Sequence, residues 1–347
     1  MYLETGGPPA YSVLMAKERW KHAARRSRAA VLFACLGLAL QAAPVALKRG
    51  DHKVDVVIDG QPFTTYEFDS VVAKPYLMPL RTASGIVISR SFPVVNTVTP
   101  ADQKTASFEP HQRPLYFGHG NIDGLNFWAE QAFDRYYGHA RQAYGRMSLT
   151  KLESVASGAQ VGSLRARFNL LAPSGRVIGE ETQSFKFQGD DRTRIIDCEF
   201  VVFANQGPIT FGDTKEGTFA VRLGPELSAP HDHMINSHGA HGEPAIWGKP
   251  ADWVDYSGVV SGKEVGIAVF DSPKSFRHPT TWHARAYGLL AANPFGLREF
   301  AKGPAKDGSW TVPEGKSLTF SYRVLIYEGK LSPSQLAEMY RKYSAAQ

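Results

Sequence analysis

From about residue 54 onward, apolar and polar residues alternate with a period of two, and glycine and proline cut the alternation into short runs. Val54, Val56 and Ile58 followed by Asp59-Gly60 and a second run over 63–68 predict an opening hairpin. The segments 164–171, 183–187, 194–203, 218–223, 264–270 and 317–327 also read as strands. Helical patterning is confined to two places. Ser332-Pro333-Ser334-Gln335 places Ser at an N-cap, Pro at the first helical position and Gln where a capping box needs it. Leu336, Met339, Tyr340 and Tyr343 then form one apolar face, which predicts a C-terminal helix packed on the strands. Residues 127–137 are the second helical candidate. With no internal repeat and no low-complexity linker, the pattern predicts a mainly β chain: one large antiparallel β-sandwich with few helices.

The first 46 residues interrupt this picture. Lys17, Arg19, Lys21, Arg25, Arg26 and Arg28 precede an apolar run over 29–40 and then small residues, the layout of a signal peptide. Met15 is the more conventional start for such a leader, and cleavage is expected after Ala42, Ala43 or Ala46. The expected division is therefore a leader over 1–46 and one domain over 47–347, exported to the periplasm or beyond. The chain has 39 Lys and Arg against 33 Asp and Glu; residues 1–46 hold six and two of these, leaving 33 and 31. So small a net charge provides no basic field for nucleic acid, and no later apolar run approaches a membrane span. Beyond the leader, Cys198 is the lone cysteine, in the apolar run 195–203, which excludes disulfide scaffolds and cysteine metal sites. It reads as a small buried hydrophobe.

Candidate chemistry falls in four segments. In FGDTKEGTFAVR, residues 211–222, an extended backbone sets Asp213 and Lys215 on one face and Glu216 on the other. That set suits either acid–base work or a salt-bridged strand rim. In HQRPLYFGHGNIDGLNFWAE, residues 111–130, glycines flank His119, and His111, Arg113 and Trp128 lie close in sequence. HDHMINSHGAH, residues 231–241, gathers four histidines with Asp232 and Asn236; a divalent metal is open there, although no established zinc spacing is present. In RHPTTWHARAYGLLAANPF, residues 277–295, His283 and Arg285 share a face, with Trp282, Tyr287 and Asn293 nearby. Flat aromatics beside charged hydrogen-bonding groups suit a sugar ring, whose C–H faces stack and whose hydroxyls need polar partners. Trp253 and Tyr256 read as core.

The runs LYFGHG with NFW, FGDTKEGTFAVR, MINSHG, WGKPADWVDYSG, VGIAVFD, HPTTWHARAYGLLAANPFG and FSYRVLIYEG together resemble a bacterial family labelled "methane oxygenase PmoA-like" over about residues 54–343. That family pattern carries histidine at two positions where this chain has Gln112 and Ser272. The resemblance implies a galactose-mutarotase-like supersandwich and an association with sugar-oxidising dehydrogenases and 3-keto-sugar hydrolases. Literal methane oxidation is physically implausible for a chain without spanning helices. The expectation is a carbohydrate-processing protein taking a sugar or keto glycoside, with His119, Asp213, Lys215, Glu216 and His283 as catalytic groups. His111, Arg113, Trp128, Asn236, Trp282, Arg285, Tyr287 and Asn293 would bind substrate. The alternative is a non-catalytic carbohydrate-binding sandwich, and the sequence requires no cofactor.

Overall fold

The computed structural model describes residues 44–90, 109–132, 142–227, 233–301 and 307–347. Strand β1 (Val45–Arg49) pairs with β2 (Lys53–Ile58), which turns into β3 (Gln61–Glu67) through Asp59 and Gly60, both at positive φ (52° and 75°). Two central residues in the left-handed region match the right-handed twist of the flanking strands, which is why Asp-Gly closes this hairpin. The strand β1 begins at Val45, inside the stretch expected to be a leader, and Val45 exchanges backbone hydrogen bonds with Gly158. The leader itself lies outside the described residues.

The hairpin starts an eight-stranded antiparallel sheet, continued by β4 (Tyr76–Met78), β5 (Leu115–Phe117), β11 (Phe219–Arg222), β16 (Leu289–Ala292) and β15 (Trp282–Arg285) in that spatial order. A second eight-stranded sheet runs β12 (Met234–Asn236), β13 (Trp253–Val260), β14 (Lys263–Asp271), β18 (Ser317–Glu328), β9 (Thr193–Phe203), β8 (Val177–Gly189), β7 (Gly162–Leu171) and β6 (Arg146–Ala156). A two-stranded pair, β10 (Ile209–Phe211) with β17 (Trp310–Val312), stands apart. The chain is thus the large antiparallel β-sandwich that the alternation predicts.

Alternation decides what faces what. Inward residues of the first sheet meet inward residues of the second: Phe117 stacks on Phe200 with ring centroids 4.5 Å apart, and Phe219 on Tyr322 at 4.6 Å. Each buried aromatic of this kind contributes roughly 1.5–3 kcal/mol by leaving water. Cys198 joins the same core as a free, buried thiol, pushed up in pKa by burial.

Three helices complete the described chain: α1 (Gly242–Ile246), α2 (Leu297–Ala301) and α3 (Pro333–Ala345). The predicted capping box at Ser332 and Gln335 forms, worth about 1 kcal/mol. Leu336 and Tyr343 of α3 pack with Trp253, Phe270, Leu325 and Tyr327 on the outer side of the second sheet. The helix expected over 127–137 is not seen in its first part, where residues 127–130 are irregular and Gln131 and Ala132 make a short 3-10 turn; residues 133–137 fall outside the described set. None of the helices among the described residues is long and apolar enough to cross a membrane.

Candidate functional site

Pairing register lines up one outward-facing row across five strands of the first sheet. Tyr76 pairs with Tyr116, Tyr116 with Ala220, Ala220 with Ala291, and Ala291 with His283. Directly opposed residues of antiparallel strands share a face, so these side chains all leave the sheet on the side away from the second sheet. Two alanines therefore form a floor between Tyr116 and His283, whose backbones stand three strand spacings, about 14 Å, apart. The next outward row is Arg222, Leu289 and Arg285.

His283 is buried at one end of this row, 2% exposed. Its Nδ1 lies 2.6 Å from the Lys215 carbonyl, which accepts only if Nδ1 carries the proton. Nε2 then holds a bare lone pair, and this buried atom has no partner among the described residues. Burial lowers the His283 pKa, opposed by the Glu216 carboxylate and the bond to Lys215 O. The edges of the Trp247 and Phe300 rings flank it, with centroids 6.4 and 6.1 Å away.

Lys215 and Glu216 sit beside it on a loop. Lys215 Nζ lies 3.0 Å from Glu216 Oε1 and 3.7 Å from Glu299 Oε2. Burial alone would lower the ammonium, but the two carboxylates outweigh it and raise the Lys215 pKa. Residues 212–218 do not form the regular strand expected from the sequence. Side-chain acceptors hold the segment in an irregular path instead. Asp213 Oδ2 accepts from the backbone N–H groups of Arg298 (2.9 Å) and Gly308 (2.6 Å), and Lys215 N donates to Glu299 Oε2. Asn293 Nδ2 donates to Thr214 O while its Oδ1 accepts from Phe295 N and Gly296 N. Asp213 and Asn293, expected as catalytic and binding groups, are thus braces for the loop that carries Lys215 and Glu216.

His119 is a correction. Along 115–120, Leu115, Phe117 and His119 take the inward face while Tyr116 turns outward, and Gly118 N and Gly120 N extend the pairing to Thr218 O and Glu216 O. His119 is fully buried, packed against Phe211 and Phe295 of the core, with Nε2 2.8 Å from Gly212 O. A Cβ at Gly217 would lie 2.3 Å from its Nδ1, so the glycine permits the close fit. Burial depresses its pKa to about 4. Trp282 is a second correction: one residue before His283, it points inward, and its Nε1 donates to Ala251 O at 2.8 Å. Asn236 is a third, for its Oδ1 accepts from His238 N and Ala240 N and shapes a turn.

At the other wall, Arg222 and Arg285 both lie over the Tyr287 ring, 4.7 and 5.2 Å from its centroid. Glu243 of α1 fixes this arrangement by accepting from Arg285 Nε and Ala286 N, each at 2.7 Å. Gln112 Nε2 donates to the Tyr287 hydroxyl at 3.4 Å. Beyond Tyr116 lies a buried ionic group. Arg113 clasps Glu130 through two bonds of 3.0 and 2.7 Å, and Lys74 Nζ donates to Glu130 Oε1 (2.9 Å) and Trp128 O (2.7 Å). Burial pulls Lys74 down to about 8; Glu130, despite its own burial, is held at about 2 by the two cations. Trp128 packs on Tyr116 at 4.9 Å and on His111 at 6.2 Å. His111 is buried and its pKa falls well below the ordinary value, through burial first and Lys74 second. A separate cleft of about 580 Å³ runs beside this group, lined by Val72, Glu130, Tyr144, Arg146 and residues 172–175.

The sequence reading missed Lys74, Tyr76, Tyr116, Arg222, Glu130 and Glu243. Alternation within LYF was the signal for Tyr116, and a basic residue ending the apolar strand FAVR was the signal for Arg222. Lys74 and Glu130 come together from loops distant in sequence, which no local pattern reports. Among the described residues, no group of three or more His, Cys, Asp or Glu side chains converges to hold a metal ion. His233, His238 and His241 are exposed, while His231 and Asp232 lie outside the described set.

Fold and site define a β-sandwich protein with a buried row of aromatic and ionisable side chains on the outer face of one sheet. Residues 53–341 match a family described as "Family of unknown function (DUF6807)", and the chain belongs to that family. None of the curated proteins matches it. Solved structures with a similar course include an alpha-galactosidase from Lactobacillus brevis, at 8% identity and TM-score 0.37, covering 86% of this chain and 41% of that one. A galactose mutarotase-like protein from Clostridium acetobutylicum matches at 9% identity and TM-score 0.34, covering 82% of this chain and 98% of that one. A galactose mutarotase related enzyme from Lactobacillus acidophilus gives 9% and 0.25, with 83% and 100% covered.

Proposed function

We propose that the chain is an exported carbohydrate-processing protein that takes a sugar or an oxidised (keto) glycoside on the outer face of the first sheet, between Tyr116 and His283. The observation that carries this reading is the His283 tautomer: Nδ1–H donates to Lys215 O, which leaves the buried Nε2 lone pair, unpartnered among the described residues, to take a proton. Its lowered pKa keeps the ring neutral and able to act as a base near neutral pH. The Lys215 ammonium and the Arg285 guanidinium supply positive charge where an oxygen turns negative during such a transfer. The reaction class is acid–base proton transfer on a sugar: lyase, hydrolase or mutarotase. The resemblance to the "methane oxygenase PmoA-like" family fits this reading only as a label, and alkane oxidation forms no part of it.

A non-catalytic carbohydrate-binding sandwich is the second reading. It is favoured by Asp213, Asn293 and Asn236, polar groups that are spent on backbone bracing.

Product analysis of the purified protein with matched glycosides and 3-keto glycosides tests the choice. Turnover that disappears in His283→Asn and falls in Glu216→Gln supports the enzyme. Saturable binding without turnover moves the chain to the binding reading, and neither binding nor turnover removes both.

A further inference from the structure

Tyr76, Tyr116 and Trp128 occupy one buried cluster on the outer face of the first sheet, and each is 1% exposed. Tyr76 and Tyr116 are register partners on adjacent strands, and the Trp128 ring packs on Tyr116. Each carries a polar atom, two phenol oxygens and one indole nitrogen, that is buried with no hydrogen-bond partner among the described residues. An unpaired buried polar group is destabilising, and native proteins retain such groups where a ligand completes them. The indole N–H can only donate. Cations lie over both phenol rings: Lys74 Nζ is 4.9 Å from the Tyr116 centroid, and the Arg113 guanidinium 5.1 Å from that of Tyr76. A cation over the ring draws electron density from it and strengthens the O–H as a donor.

We infer that Tyr76, Tyr116 and Trp128 form a donor site for an oxygen group that only accepts hydrogen bonds, and that the ligand of this outer face is a sugar bearing a carboxylate. The inference deepens the proposed function and rests on it for the sugar, although not for the donor site. Three buried donors in one cluster, beside the Lys74 and Arg113 cations that outnumber the Glu130 carboxylate between them, match the two oxygens of a carboxylate better than a neutral hydroxyl.

Calorimetric titration with glucuronate and glucose, and thermal unfolding with and without benzoate, test this on wild type, Tyr76→Phe, Tyr116→Phe and the double variant. The replacements keep the ring and remove only the orphan hydroxyl. Unliganded variants are expected to unfold roughly 2–4 °C higher than wild type. Wild type is expected to prefer glucuronate over glucose by about tenfold or more, and the double variant to lose that preference. Benzoate stabilisation of wild type, absent in the double variant and without binding of either sugar, would retain the donor site while removing the sugar reading. Lower unfolding temperatures in both variants, equal binding of glucose and glucuronate, or selectivity that survives in the double variant would overturn the inference. So would a failure of both benzoate and glucuronate to act on wild type.

Discussion

His119 and His283 belong to the same sheet, both are buried, and each fixes one ring nitrogen on a carbonyl of the same loop, Gly212 for one and Lys215 for the other. They differ in the face they occupy. His119 looks into the sandwich, where Phe211, Phe295 and Gly217 close around it. His283 looks outward over an alanine floor, beside Glu216, Lys215 and Trp247. Two histidines with like burial and like anchoring therefore face opposite ways: His119 lies under the loop in the core, and His283 lies on the outer face.

Replacing one or the other gives the largest expected contrast. His283→Asn keeps a donor toward Lys215 O and removes the base, and turnover is expected to fall roughly 10²–10⁴-fold with little change in unfolding temperature. His119→Asn is expected to lower stability while turnover per folded molecule stays within a few-fold. Steady-state kinetics and thermal unfolding of both variants check this, and a large loss of turnover in folded His119→Asn alone would reverse the assignment.

The next contrast is in acid. His119 has a folded pKa of about 4 against about 6.5 unfolded, so below 6.5 the unfolded chain binds the extra proton. Its neutral ring thus contributes stability that is complete above pH 6.5 and is lost as pH falls toward 4, by about 3 kcal/mol. Glu181, buried in the sandwich and held at about 8 by burial, has the opposite sign. It contributes fully below about 4.5, and its contribution fades as pH rises through 8. Urea unfolding across pH is expected to show a flatter acid limb for His119→Phe and a flatter alkaline limb for Glu181→Gln. A smaller effect comes from Gly217→Ala, whose Cβ would press on His119 Nδ1 and is expected to destabilise by roughly 1–3 kcal/mol, measurable by the same unfolding.

The strands and the C-terminal helix were legible because each is written locally: the Asp59-Gly60 turn, the alternation of 194–203 and the Ser332 capping box all lie within a dozen residues. The site was legible only in part. His283, Arg285, Lys215 and Glu216 were picked out by residue type, and the last three lie near enough to His283 to act on its charge. Residue type could not say which face His119 or Trp282 would take, because that depends on where strands distant in sequence set the register. Flanking glycines made His119 look like a loop histidine, whereas Gly118 and Gly120 extend the pairing of β5 toward Thr218 and Glu216. Lys74 and Glu130, 56 positions apart, carried no local signal for their ion pair.

The most direct measurement is the ring-nitrogen NMR spectrum of the two histidines during titration with the sugar found to bind. Binding on the outer face is expected to shift the His283 Nε2 resonance in proportion to saturation and to leave both His119 nitrogens in place. Movement of His119 with a stationary His283 would contradict the assignment of the outer face as the binding surface.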